Sequence, residues 1–271
     1  VTVPFNLLPL SYLELSESKH TFDSYEDIVF KGGYPRLYDK NIEPIDFYPN
    51  YISTYIERDV RQIKNIDNLS AFALFVQLCA GRIGQLINFQ SLASDAGISP
   101  NTAKAWLSVL EASYIIYLHK PHYKNFNKRL VKSPKLYFYD TGVACSLLQI
   151  HSKEQLNTHY LKGNLFENYI INEWKKGYFN QGMKPPLYFW QSNANKEIDL
   201  LIESGTDLFP FEIKSSKTRN SHLLDNLHYW KKLNNTPSQY LNVIYGGDES
   251  MKSSDGNYIS WRNIPLPSFW E

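Results

Sequence analysis

The spacing of apolar residues divides the chain into three stretches of different rhythm. Through residues 1–60, turn signals at Gly32, Gly33 and Pro35 precede a run from Pro49 to Val60 with Tyr51, Ile52, Tyr55, Ile56 and Val60 at helical spacing, which predicts a helical connector. The close of that run, Tyr55 to Val60, mixes charges with apolar residues and equally suits a surface face of paired charges. From Asn68 onward three helices are predicted, over 71–80, 89–96 and 100–113, with a turn at Gly97, a cap at Ser99 and Pro100 in the first helical position. Two β-like runs follow, 114–119 and 135–139. The last stretch begins with a helix carrying Leu165, Phe166, Tyr169, Ile170 and Trp174. It continues with strands over 187–191, 198–203 and 208–213, a helix over 221–233 and a strand over 240–245.

These elements predict an α/β chain, α+β overall, in three parts. Residues 1–67 form the connector, 68–150 a winged helix–turn–helix, and 151–271 an α/β domain with a central mixed sheet. In a DNA-binding arrangement Asn101, Thr102 and Lys104 on the leading turn of the second helix would face the major groove. Trp106 and Leu107 on the same helix are core candidates, and winged helices also dock proteins.

Charge alters this picture only locally. The net charge is +1, but 120–135 holds Lys120, Lys124, Lys128, Arg129, Lys132 and Lys135 with no acidic residue. In a wing, this segment would neutralise phosphates of duplex DNA, and Lys124, Lys128, Arg129 and Lys132 are the candidate contacts; a solvated basic loop fits the charge equally well. With 43% hydrophobic and 20% charged residues, the composition excludes a largely disordered chain. Twenty Tyr and fifteen Phe point to aromatic-rich cores. Cys79 and Cys145, the only cysteines, have neither metal-like nor disulfide-like spacing, which fits a reducing, cytoplasmic setting. No stretch approaches the length needed to cross a bilayer, so no membrane partner is expected. The chain opens directly in the apolar segment Val1 to Leu10 without an initiator Met, as though it begins inside a longer protein.

The chemistry concentrates in the last part. Strand alternation puts Glu212 and Lys214 on one face, with Phe211 and Ile213 opposite; in the preceding strand Glu197 and Asp199 alternate with Ile198, Leu200 and Ile202. If the two strands pair through a turn near Gly205, Asp199 and Glu212 converge. Two close carboxylates raise each other's pKa unless a cation lies between them. Magnesium or manganese is the natural partner, with the Ile213 carbonyl as a further ligand and Lys214 stabilising charge at a phosphorus centre. Glu167, in an apolar helical stretch, would reach the ion directly or through water, or would stand exposed beside a buried stripe. A structural ion-pair cluster, with Lys214 joined to Glu212 or Asp199, is the non-catalytic alternative. A merely solvated strand face is another.

The segments Gly163 to Glu167, Glu197 to Glu203 and Phe211 to Ser216 resemble the PD-(D/E)xK nuclease superfamily, a restriction-endonuclease-like fold. That resemblance implies catalytic roles for Glu167, Asp199, Glu212 and Lys214, with Asp199 and Glu212 as metal ligands; the Pro that usually precedes the Asp is Ile198 here. Together with Asn6 to Ser11, Gly32 to Pro35, Tyr55 to Val60 and Tyr139 to Gly142, the whole chain resembles the C-terminal region of prokaryotic AAA-type ATP-binding proteins. In those proteins an ATPase module comes first, and Val1 to Leu15 resembles its exit. No Gly-rich loop ending in Gly-Lys-Ser/Thr occurs in the 271 residues, so ATP would bind only through an upstream module. The implied function is a metal-dependent DNA nuclease module. The alternative is a non-catalytic DNA- or protein-binding assembly module, with a protein partner or a second copy of the chain.

Overall fold

A computed structural model describes residues 6–55, 66, 68–122, 132–192 and 196–265. The chain is mixed α/β and divides into two units, one made of 1–13, 119–133 and 169–271, the other of 14–118 and 134–168.

The second of these units is mainly helical. It contains α1 (Tyr12–Glu17, shared with the other unit), α2 (Tyr25–Lys31), α3 (Pro35–Asp39) and α4 (Pro44–Thr54). The connector helix thus starts earlier than Pro49: Pro44 takes the N-terminal position, where a missing N–H costs nothing, and Pro49 lies within the helix. Residues 56–65 lie outside the described residues, as do Lys124, Lys128 and Arg129. Helices α5 (Leu69–Ala80), α6 (Phe89–Asp95) and α7 (Pro100–Ala112) match the expected trio. Ser99 caps α7 by accepting from Thr102 N at 3.0 Å, and Trp106 packs edge-on against Phe72 and Phe75, at 5.2 and 5.5 Å between ring centres. Strands β1 (Ile116–His119) and β2 (Lys135–Phe138) pair in a two-stranded sheet, and α8 (Thr141–Leu147) and α9 (Lys153–Thr158) follow.

The Gly32–Pro35 and Tyr139–Gly142 segments meet at one buried carboxylate. Asp140 caps α8 through Val143 N at 3.1 Å and also accepts from Gly33 N and the Tyr48 hydroxyl, both at 2.7 Å. A Cβ on Gly142 would come within 2.3 Å of the Tyr48 ring, so only glycine fits beneath it. These segments therefore act as an architectural hub.

Helix α10 (Lys162–Asn180) contains the division between the units, which falls after Asn168. In the sheet-containing unit, β3 (Leu187–Gln191), β4 (Glu197–Ser204), β5 (Asp207–Lys214), β6 (Asn242–Tyr245), β7 (Met251–Lys252) and β8 (Asn257–Ser260) form a six-stranded mixed sheet in the order β3-β4-β5-β6-β8-β7. The β3-β4-β5 part is antiparallel; β5-β6 and β6-β8 are parallel. Ser204 pairs with Asp207 across a two-residue turn, and Gly205 takes φ +60°, a left-handed value that a tight hairpin demands at its first central position. The crossover from β5 to β6 runs through a 3-10 turn (Ser221–Leu224) and α11 (Asp225–Asn234). Trp230 of α11 packs on Trp190 over a core that includes Ile198, Leu201, Leu227 and Val243. Phe211, turned to the other face by strand alternation, meets Trp174 of α10 at 5.6 Å. The sheet is thus covered on both faces. The N-terminal segment is tied to this unit: Glu173 accepts from Tyr12 N at 2.7 Å and Lys176 donates to Leu10 O at 2.9 Å.

Candidate functional site

The site forms where β4 leaves regular pairing with β3. Tyr188 and Trp190 pair with Leu201 and Ile198, so Asp199 and Leu200 together face the single residue Phe189. This is a β-bulge, a device that bends a strand and re-aims a side chain. Beside it, Asp199 Oδ2 accepts from Ile213 N at 2.8 Å and from Lys214 Nζ at 2.7 Å. The same ammonium lies 2.6 Å from Glu212 Oε2. Asn226, in the first turn of α11, reaches Glu212 Oε2 at 3.5 Å. The expected convergence of Asp199, Glu212 and Lys214 is present within one unit.

Burial makes this cluster chemically unusual. The Glu212 side chain is 1% exposed and its Oε1 is buried with no hydrogen-bond partner, an expensive state for a carboxylate. Desolvation, reinforced by the negative charge of Asp199 and opposed by Lys214, pushes the Glu212 carboxyl up to about 8. Burial alone would lower the Lys214 ammonium, but the charges of Asp199 and Glu212 outweigh it and hold Lys214 well above the usual lysine range. Two carboxyl groups converge on one ammonium, their donor atoms are all oxygens, and the unpartnered Glu212 oxygen offers one more lone pair. This donor set fits a hard divalent cation. Glu197, named in the sequence only as a neighbour on the strand, presents a carboxylate oxygen within 4.8 Å of one on Asp199 and extends the acidic surface.

Glu167 lies in the other unit, where it accepts from the Tyr137 hydroxyl and from Lys135 Nζ, the latter at 3.1 Å. Its carboxylate is therefore neither exposed nor without a cation. The same contact removes Lys135, which is buried, from the surface-charge stretch; Lys132 is exposed. Asn101 and Lys104 are exposed on the first turn of α7 and Thr102 is half-buried, with Lys104 Nζ 5.6 Å above the Phe89 ring. Cys79 and Cys145 are buried free thiols, both raised by burial. Asn226 and the bulge at Asp199 had no signal in the sequence, since each depends on which elements meet.

No helix among the described residues is long and apolar enough to cross a membrane. No solved structure matches the chain. Uncharacterized proteins of Mycobacterium bovis and Mycobacterium tuberculosis are each 27% identical over 191 residues, which is 69% of this chain and 42% of the relative. The chain therefore matches about two fifths of the length of these relatives. Residues 22–154 match the model of a domain of unknown function, DUF8612, and residues 162–269 that of a second, DUF4143. The chain thus joins segments similar to two families of unknown function, and Asp199, Glu212 and Lys214 all lie in the second segment.

Proposed function

We propose that this chain is the C-terminal region of a cytoplasmic AAA-type ATP-binding protein, and that its sheet-containing unit is a PD-(D/E)xK-like module that hydrolyses phosphodiester bonds with Mg2+ or Mn2+. One observation carries the reading: Asp199 and Glu212 converge on Lys214, and a buried oxygen of Glu212 is left without a partner. The order helix, three antiparallel strands, helix, parallel strand supports it, because that order seats the two carboxylates and the lysine on adjoining strands. A hard divalent ion supplies Lewis-acid polarisation of a phosphodiester. Asp199, fixed by Ile213 N, and Glu212, oriented by Asn226, would hold it. Lys214 would stabilise the negative charge that grows at phosphorus. In the other unit, α5, α6, α7 and the β1–β2 sheet act in this reading as a winged helix. Asn101, Thr102 and Lys104 would face the major groove of duplex DNA. Lys132, which belongs to the sheet-containing unit, would with its basic neighbours in the sequence neutralise phosphates.

Nicking and linearisation of supercoiled plasmid test the reading. Cleavage should require Mg2+ or Mn2+ and fall by at least about a hundredfold in Glu212→Gln and in Lys214→Ala, as for loss of one electrostatic group at a transition state. Cleavage retained in both variants overturns it. The Lys214 bridge favours a second reading, a non-catalytic DNA- or protein-binding assembly module held by an ion-pair cluster. Calorimetry separates the two: no heat with millimolar Mg2+ or Mn2+ from the folded chain supports the second.

A further inference from the structure

The cation reading just given leaves open what balances the two carboxylates before an ion arrives. Lys214 Nζ stands 2.7 Å from Asp199 Oδ2 and 2.6 Å from Glu212 Oε2, between the oxygens that would share the ion. Asp199 also keeps its bond from Ile213 N, and Glu212 its contact with Asn226, so neither carboxylate depends on the lysine alone for its position. Glu212 Oε1 adds a buried lone pair with no donor directed at it. Lys214 differs from its partners in exposure: its side chain is 34% exposed, against 9% for Asp199 and 1% for Glu212. A long, flexible stem with a route to water can swing its ammonium outward while the carboxylates stay in place.

We infer that Lys214 is a built-in counter-cation occupying the place of the divalent ion, so that ion binding displaces its ammonium from the Asp199–Glu212 pair towards solvent. The inference rests on the cation reading and concerns how the site is kept closed. Ammonium and ion compete for the same oxygens, which weakens the ion's affinity in the wild-type chain and places the lysine at the rim, towards an incoming phosphate, only after the ion has entered. The site would therefore be assembled by its cofactor rather than before it.

Titration of the full chain with Mn2+ alone tests this. Lys214→Met keeps the stem and removes the competing charge. Its Kd should fall about tenfold or more, in line with the coupling of close charge pairs, whereas Lys214→Arg should not tighten binding. Equal or weaker Mn2+ binding in Lys214→Met overturns the inference. Should that variant fail to fold, reductive methylation of the wild-type chain decides the matter: Mn2+ should increase labelling of Lys214 several-fold and leave Lys176, buried against Glu173, unchanged, and unchanged Lys214 labelling is the contrary result. Tighter binding in Lys214→Met without wild-type DNA cleavage keeps the inference and removes the nuclease reading. Wild-type cleavage with equal affinities does the reverse. No Mn2+ binding in either protein removes both.

Discussion

Glu212 is the residue on which the chemistry of this chain turns. Its neutral form is favoured in the folded state, which lifts its carboxyl to about 8 from an ordinary value of 4.5, chiefly by desolvation and next by Asp199. A raised folded value means that Glu212 contributes stability in acid, below about 4.5, and loses that contribution as pH rises towards 8. The stability advantage of the wild type over Glu212→Gln should therefore shrink between pH 5 and pH 8 in chelator-treated protein, as read by urea denaturation at each pH. A constant difference would remove the desolvated-carboxylate account. The identities of Asp199, Glu212 and Lys214 were legible from alternation along two strands. The Asn226 contact and the pairing of Glu167 with Lys135 and Tyr137 were not, because they join residues far apart in sequence whose approach is set by packing.

At the scale of elements, local rules predicted much of the helix and strand pattern. Ser99 followed by Pro100 marks a helix start whatever surrounds it, since capping and a fixed φ act over three or four residues. The hairpin of β4 and β5 follows from alternation and a glycine turn. Three short helices near the N-terminus and the strands β7 and β8 had no such signal; they are too brief for a period to emerge. The Gly32–Pro35 and Tyr139–Gly142 segments stood out in the sequence, yet their shared role at Asp140 needed the fold. Asp140→Ala should cost about 3 kcal/mol or more, because it strips a charged acceptor from three donors, leaves the Gly33 N–H buried and leaves the Tyr48 hydroxyl only the Lys31 carbonyl. Ser99→Ala should cost only about 1 kcal/mol, the usual worth of an exposed cap. Denaturant midpoints of the two variants give the comparison, and similar losses would mean that Asp140 is not a hub.

At the scale of the whole molecule, the chain divides into a mainly helical unit and one built on the sheet, and the proposed ion site belongs wholly to the second. Saturating Mg2+ should therefore slow amide exchange in β4, β5 and α11 while leaving α5, α6 and α7 unchanged, since a ligand stabilises the structure that binds it. Uniform protection of both groups of elements, or none, would count against that placement. The division between the units falls after Asn168, inside a helix that the periodic pattern could only show as continuous. Periodicity and turn chemistry, which operate over a few residues, were enough for the sequence by itself to determine the mixed α/β class, the main helices and strands, and the carboxylate–lysine set. Only the tertiary structure decided that a bulge turns Asp199 to Lys214, that the ammonium lies between two carboxylates, and that Glu212 is sealed from water, because each of these depends on strand register and on the helix that closes over the sheet.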